Sequence, residues 1–101
     1  MKFQKLPPKF KKKWVAALRS GKYKQGQNAL MTEEGTYCCL GVACRVAGSP
    51  IELDQMFPAE DSRVPKILRS EDTELNNTLA KRNDSGLWSF NRIADWIEKN
   101  L

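Results

Sequence analysis

Apolar residues recur at helical spacing in a segment near the start of the chain. Phe10, Trp14 and Leu18 stand four residues apart, which places them on one face of a helix. Pro8 precedes all three residues and suits the first turn of a helix. Gly21 follows them and favours the end of the helix. The pattern predicts a helix that begins near Pro8, ends before Gly21 and buries Trp14 and Leu18.

The same spacing returns in the closing segment SFNRIADWIEKNL. Ser89 is a favourable N-cap residue, and Phe90, Ile93 and Ile97 follow it with the period of a helix. Trp88, immediately before the cap, is expected to pack on Ile93 as a hydrophobic staple. We predict a second amphipathic helix here.

Between these two helices, the pattern predicts a β-hairpin followed by a buried helix. Residues 29–31 and 36–38 favour strands, and the turn at 32–35 ends in a glycine that can adopt a positive φ. From Cys39 to Ala47 the side chains are small and apolar on nearly every face, which is typical of a buried helix. Gly48 then favours the end of that helix.

In the remaining part of the chain, the sequence pattern predicts a loop and one more helix. The segment 49–70 contains three prolines and little periodicity, so we expect a long ordered loop with a short helical turn near residues 66–69. Acidic residues at 71, 72 and 74 favour a helix start. Leu75 and Leu79 are expected to face the core until the stretch 83–86 ends this helix.

These elements together predict an α+β fold. Three or four short helices are expected to pack around a small β-hairpin, and a chain of 101 residues can bury one modest core. We therefore expect a single domain over residues 1–101, with residues 1–8 as a flexible basic arm.

The stretch TYCCLGVACRVAG contains all three cysteines of the chain. A structural zinc ion usually needs four thiolate or imidazole ligands, whereas the sequence offers Cys38, Cys39 and Cys44 and no histidine. Adjacent cysteines make strained disulfides, and free cysteine is among the most buried residue types. We interpret the cysteines as core residues, with Gly41 allowing another element to approach closely, and expect no metal ion and no cofactor.

Basic residues are concentrated in the first third of the chain. Residues 1–32 contain nine lysines and arginines and no acidic side chain, whereas residues 33–101 contain eight basic and twelve acidic ones. The net charge of +5 therefore comes from the N-terminal part. It indicates a positive surface that attracts polyanions, unless these lysines are simply a solvated face.

The turn after the first helix carries residue types suited to a phosphorylated, base-bearing ligand. In the stretch RSGKYKQ, an arginine can clamp a phosphate and a tyrosine can stack on a base. The alternative is a turn whose tyrosine packs inward and whose lysines are solvated. The predicted ligand contacts are Arg19, Ser20, Lys22, Tyr23, Lys24 and Gln25, with Asn83 and Arg92 joining them from the other end of the chain.

A different surface is expected if the partner is nucleic acid. Clustered lysines neutralise phosphates, and aromatic side chains offer stacking surfaces for bases. Arg92 and Trp96, four residues apart, either form a cation–π pair or place Trp96 in an oligomer interface. The residues predicted to contact nucleic acid are Lys9, Lys11, Lys12, Lys13, Trp14 and Trp88.

The sequence does not combine the groups that catalysis usually needs. Histidine, the commonest general base, is absent, and neither a nucleophile with a base nor a pair of carboxylates stands at a short spacing. No apolar run approaches the roughly 20 residues of a membrane span. We expect a protein without catalytic residues that acts inside a cell and not at a membrane.

Three stretches resemble motifs of a widespread group of small, mostly uncharacterised bacteriophage proteins. They are KKWVAALRSGKYKQGQNAL, YCCLGVACRVAG and RNDSGLWSFNRIADWIEKNL, which occur in that order and cover most of the chain. The resemblance implies a phage accessory protein in the cytoplasm of a bacterial host, and it transfers no catalytic residue.

With this resemblance, the leading hypothesis is a non-enzymatic counter-defence protein. It is expected to bind and sequester a phosphorylated nucleotide signal of bacterial immunity, linear or cyclic, and to act as a homo-oligomer. One alternative is nonspecific binding of nucleic acid, with an affinity that falls steeply with salt. Another is inhibition of a host protein through an aromatic patch around Trp88 and Trp96.

Overall fold

The computed structural model describes residues 5–27, 29–53, 55, 62–69 and 73–101. Within these residues the chain forms four α-helices and one pair of short strands, which confirms the predicted α+β class. None of the described helices has the length and apolar character of a membrane span. In chain order the elements are α1 Pro8–Arg19, β1 Lys24–Gln25, β2 Thr36–Tyr37, α2 Cys39–Ala47, α3 Thr73–Asp84 and α4 Phe90–Asn100.

The helices follow the predicted patterns. Gly21 follows Ser20, the C-cap residue of α1, and has a φ of 74°, a conformation that glycine adopts without strain. The hydroxyl of Ser89 accepts the N–H of Arg92 over 3.2 Å and caps α4. In α3, Leu75 and Leu79 are buried in the core as their spacing predicts.

The predicted hairpin is wrong in the pairing of its strands. β1 and β2 run parallel, with Lys24 opposite Thr36 and Gln25 opposite Tyr37. Of the predicted antiparallel pairing, the described residues retain an isolated bridge between Met31 and Tyr37. Strands of two residues carry no alternation of apolar and polar positions, so the hydrophobic pattern could not reveal β1.

The turn of the predicted hairpin does form. The N–H of Gly35 donates to the carbonyl of Thr32, and the N–H of Thr32 donates to the carbonyl of Thr36, both over 3.0 Å. The chain departs from the predicted pairing before the bridge at Met31, where the N–H of Leu30 donates instead to the carbonyl of Gln55 over 2.7 Å. Ala29 and Leu30 of the predicted first strand are buried in the core, and β2 pairs with β1 instead.

One hydrophobic core holds the helices together. α1 lies against α4 and α2, and α3 contacts both α2 and α4. The indole N–H of Trp14 donates to the carbonyl of Cys39 over 3.0 Å in the core, which joins α1 to the start of α2. Cys38, Cys39 and Cys44 are all buried, so their prediction as core residues is confirmed.

The N-terminal segment lies against the end of α4. Leu6 is buried, and its N–H donates to the carbonyl of Leu101 over 3.0 Å. The ammonium groups of Lys5 and Lys11 donate to carbonyls in the last turn of α4, over 3.3 and 3.0 Å, where cations suit the partial negative charge of a helix C-terminus. The predicted arm at 1–8 thus meets the core through Leu6, and its first four residues lie outside the described part.

Only part of the predicted loop at 49–70 lies within the described residues. A 3₁₀ helix, Lys66–Leu68, forms where the sequence predicts a helical turn. The side-chain amide of Asn76 in α3 donates to the carbonyls of Leu68 and Arg69, each over 3.0 Å, and fixes the end of the loop against α3. Residues 54, 56–61 and 70, and the acidic residues predicted to start α3 at 71 and 72, lie outside the described part.

Gly41 lies at the point where α2 approaches the chain before β2. A Cβ atom on Gly41 would stand 1.8 Å from the carbonyl oxygen of Leu30, which is a severe steric clash. The close approach predicted at Gly41 is therefore confirmed. Leu30 itself is fully buried, so its backbone cannot move away without disturbing the core.

We expect Gly41→Ala to lower the free energy of unfolding by about 1–3 kcal/mol, because the added methyl group overpacks the contact with Leu30. Helix propensity alone predicts the opposite sign, a gain of roughly 1 kcal/mol for alanine over glycine. Urea denaturation of the two proteins distinguishes these results. A variant as stable as the parent would contradict the close packing of α2 on Leu30.

Candidate functional site

The arginine of the predicted ligand turn is already bound to carboxylates. The Arg19 guanidinium donates to the carboxylates of Glu98 and Asp95, with the Asp95 oxygen 2.5 Å away. These hydrogen bonds raise the pKa of Arg19 above its ordinary value. Arg19 therefore joins α1 to α4. Because two carboxylates already neutralise its charge, it is poorly suited to bind a phosphate.

The rest of the turn divides between packing and solvent. The hydroxyl of Ser20 donates to a carbonyl in the last turn of α1 over 2.7 Å and accepts the N–H of Lys22 over 3.1 Å. The ring of Tyr23 meets that of Tyr37 edge-on at 5.4 Å between centroids. Lys22 and Lys24 are exposed. Arg19, Tyr23 and Gln25 share one cleft of about 270 Å³ with the start of α4.

Gln25 fixes the start of α4 through its side-chain amide. Its nitrogen donates to the side-chain oxygen of Asn83 over 3.1 Å and to the carbonyl of Trp88 over 2.8 Å. Its oxygen accepts the N–H of Phe90 over 3.1 Å, which is the first N–H of α4. Within the described part of the chain this is the one donor that reaches the Gln25 oxygen, which leaves its second acceptor position open.

Asn83 is the centre of this network. Its amide nitrogen donates to the carbonyl of Gly26 over 2.7 Å and to the carboxylate of Asp84 over 3.0 Å. Its oxygen accepts from Gln25 and from the N–H of Cys39, 3.1 Å away, so it caps α2. All four hydrogen-bonding positions are used and the residue is 1% exposed. Asn83 thus has a structural role here, and its side chain has no hydrogen-bonding position left over for a ligand.

Arg92 belongs to an arginine-tryptophan cluster at the junction of α3 and α4, formed by Arg82, Trp88 and Arg92. The guanidinium carbons of Arg92 and Arg82 lie 4.4 and 4.6 Å from the centroid of the Trp88 ring. Arg82 also lies over Trp96 at 5.4 Å. The cation over Trp96 thus comes from α3, which contacts α4, and the predicted partner Arg92 stacks on Trp88 instead.

The cluster carries positive charge that no carboxylate balances by an ion pair among the described residues. The only ion pairs there belong to Arg19, and Lys81, next to Arg82, is exposed. The Nε atom of Arg82 is buried and has no hydrogen-bond partner. Arg92 is exposed, and a stacked guanidinium keeps its outer N–H groups available for an anion, so the cluster is better suited to a phosphate than Arg19 is.

Sequence reasoning missed Lys81 and Arg82. Their signal was the adjacent basic pair in the last turn of a predicted helix, within the otherwise acidic C-terminal part of the chain. Trp88 stands six residues after Arg82, a spacing that no single helix would bring into contact.

Two clefts meet at Leu87 and Trp88. The first, of about 340 Å³, is called the cationic cleft and is lined by Thr78, Lys81, Arg82, Ser85, Leu87 and Trp88. The second, of about 660 Å³, is called the amide cleft and is lined by Gln25, Gly26, Gln27, Thr32, Glu34, Thr36, Asn83, Gly86, Leu87, Trp88 and Ser89. Leu87 is 78% exposed at their common rim.

The surface predicted for nucleic acid is only partly present. Lys9, Lys12 and Lys13 are exposed on α1, whereas Lys11 contacts the end of α4. Trp14 is fully buried and offers no stacking face, so that part of the prediction is wrong. Trp88 is half-buried in the arginine-tryptophan cluster.

The cysteines do not add thiolate chemistry to this surface. Burial raises the pKa of Cys38 to about 11 and that of Cys39 well above its ordinary value. Both side chains therefore stay neutral thiols near neutral pH, whereas a reactive cysteine needs its thiolate form. The chemistry that the described residues support best is binding of an anion with an aromatic part.

We expect Asn83→Ala to lower the free energy of unfolding by at least about 2 kcal/mol, because it leaves the buried N–H of Cys39 and the carbonyl of Gly26 without partners. Asn77→Ala is the matched control, since Asn77 is exposed on the same helix and should change stability by no more than about 0.5 kcal/mol. Equal urea midpoints for the two variants would show that the network around Asn83 is not structural.

Comparison with known proteins leaves the function open. No curated protein and no solved structure is significantly similar to the chain. Residues 6–49, which contain α1, both strands and α2, match a family described as a domain of unknown function (DUF8296). Over that segment the chain is similar to an uncharacterised family.

Proposed function

We propose that the protein binds a nucleotide through the arginine-tryptophan cluster and holds it without changing it chemically. The observation that carries this proposal is the position of Arg82 and Arg92 over the ring of Trp88, without an ion-paired carboxylate among the described residues. Two cations at one place suit the phosphate of a nucleotide, and the half-buried ring of Trp88 offers apolar contact to its base.

The phosphate contacts fall to the cations of the cationic cleft. The hydroxyl of Ser85 already donates to the carbonyl of Arg82 over 2.8 Å, and that of Thr78 donates to the carbonyl of Glu74 over 2.9 Å. Lys81 and Arg82 line the cleft, and Arg92 reaches Trp88 from α4. Charge-assisted hydrogen bonds from these groups are stronger than those from neutral donors.

The biological role that suits such a protein is sequestration. A small protein that binds a signalling nucleotide tightly lowers its free concentration without needing catalytic groups. The resemblance to small bacteriophage proteins supports the proposal that this occurs in the cytoplasm of a bacterial host, where the protein acts as a homo-oligomer against nucleotide-based immunity.

Nonspecific binding of nucleic acid is the second candidate, and the exposed lysines of α1 favour it. Lys9, Lys12 and Lys13 form no ion pair within the described part of the chain. Three cations on one helix can neutralise successive phosphates of a strand. This lysine surface is distinct from the arginine-tryptophan cluster. The acidic residues Asp95 and Glu98 of α4 face α1 and pair with Arg19 between the two surfaces.

Removal of two charges from the cluster should weaken nucleotide binding. We expect the double variant Arg82→Gln, Arg92→Gln to raise the Kd for a bound nucleotide by at least about tenfold, because two charge-assisted contacts are lost. The nucleotide is chosen by native mass spectrometry with a panel of linear and cyclic nucleotides, which also gives the number of subunits. Calorimetry then measures the Kd.

The matched control is Lys22→Gln, Lys24→Gln, which removes the same charge from the turn after α1. It should leave the Kd within about twofold of the parent. If the control loses affinity and the cluster variant does not, the ligand binds at the turn and the proposal is wrong. Binding of a short single strand that depends on Lys9, Lys12 and Lys13, with no nucleotide bound, would favour the second candidate instead.

A further inference from the structure

The amide cleft differs from the cationic cleft in charge. Glu34 is the one charged side chain that lines it among the described residues, and no lysine or arginine does so. A phosphate is therefore repelled from this cleft, whereas a neutral group that donates hydrogen bonds is attracted. The volume of about 660 Å³ lies in the range of small-molecule sites.

Most of the polar side chains that line the amide cleft are already hydrogen-bonded within the protein. Asn83 is saturated, and the hydroxyls of Thr32 and Thr36 bond to each other over 2.6 Å. Gln25 keeps one acceptor position on its oxygen. The two carboxylate oxygens of Glu34, on an exposed turn, are the strongest acceptors. A group that binds both oxygens of Glu34 must present two N–H or O–H donors side by side.

The two clefts adjoin at Leu87 and Trp88, which line both of them. A ligand with an anionic part and a neutral, donor-bearing part can lie across this rim with each part in the cleft of matching charge. We propose that the amide cleft binds the nucleobase, that Glu34 accepts two of its N–H groups, and that the protein therefore prefers guanine nucleotides. The phosphate half of this arrangement rests on the proposed function.

Guanine is the base whose edge matches a carboxylate. Its ring N–H and its amino group stand side by side and can donate to the two oxygens of Glu34 together. Adenine presents its amino group beside a ring nitrogen that is an acceptor. The lone pair of that nitrogen is repelled by the second carboxylate oxygen. Loss of one of two charge-assisted hydrogen bonds, with an acceptor left facing a carboxylate, typically changes affinity by about tenfold or more.

Calorimetry with GMP, AMP and guanosine tests this assignment on three proteins: the parent, Glu34→Gln and Glu33→Gln. Glu33 is the matched control, because it is exposed on the same turn and does not line the cleft. We expect the parent to bind GMP at least about tenfold more tightly than AMP. Glu34→Gln should abolish that preference, mainly by weakening GMP, and Glu33→Gln should keep it.

The outcomes separate this inference from the proposed function. If the double variant at Arg82 and Arg92 weakens both nucleotides but Glu34→Gln keeps the parent's ratio of affinities, the guanine site is wrong and the phosphate site stands. If that double variant binds GMP like the parent while Glu34→Gln still abolishes the preference, the phosphate site is wrong and the guanine site stands. If the parent binds none of the three probes, both are wrong.

Discussion

The structure depends on one buried amide. The side chain of Asn83 joins the end of α3 to the start of α2 through Cys39, and to β1 through Gln25 and the carbonyl of Gly26. Gln25 in turn holds Trp88 and the first N–H of α4. Because buried polar groups are costly without partners, these contacts form together, and four elements meet at one fixed point.

The position of the candidate site follows from that point. Trp88 lies between the network and the surface, with its carbonyl bonded to Gln25 and its ring under Arg82 and Arg92. The same short connection from α3 to α4 separates the cationic cleft from the amide cleft. The ion pairs of Arg19 with Glu98 and Asp95 fix α4 on its opposite flank, against α1. The candidate site is thus held by contacts from four elements of the fold.

The helices could be predicted because their information is local. The boundaries of α2 match the predicted residues, since Gly48 ends a run of small apolar side chains and has a φ of 78°. The pairing of β1 with β2 could not be predicted, because it depends on Leu30 bonding to Gln55 and not to a strand. A two-residue strand is stabilised by its surroundings more than by its own sequence.

The sequence indicates which residue types a candidate site would contain, but not which of these residues lie together in the fold. Polar residues in a turn suggest ligand contacts, yet the sequence does not reveal which amides face inward, and Gln25 and Asn83 do. Arg19 finds its carboxylates 76 residues away at Asp95, a distance in sequence that no local pattern spans. Arg92 was predicted as a contact and lies in the cluster, whereas the place of Arg82 depends on the contact between α3 and α4, which the sequence does not show.

The most direct test of the proposed nucleotide site is a titration with GMP, followed in ¹H–¹⁵N spectra. The chemical shifts of the indole N–H groups of the three tryptophans are measured at each step. The account predicts that the signal of Trp88 shifts with added nucleotide, while that of Trp14, buried and bonded to Cys39, stays in place. An unchanged Trp88 signal, together with shifted backbone signals from Ser20 to Lys24, would contradict it and place the ligand at the turn after α1.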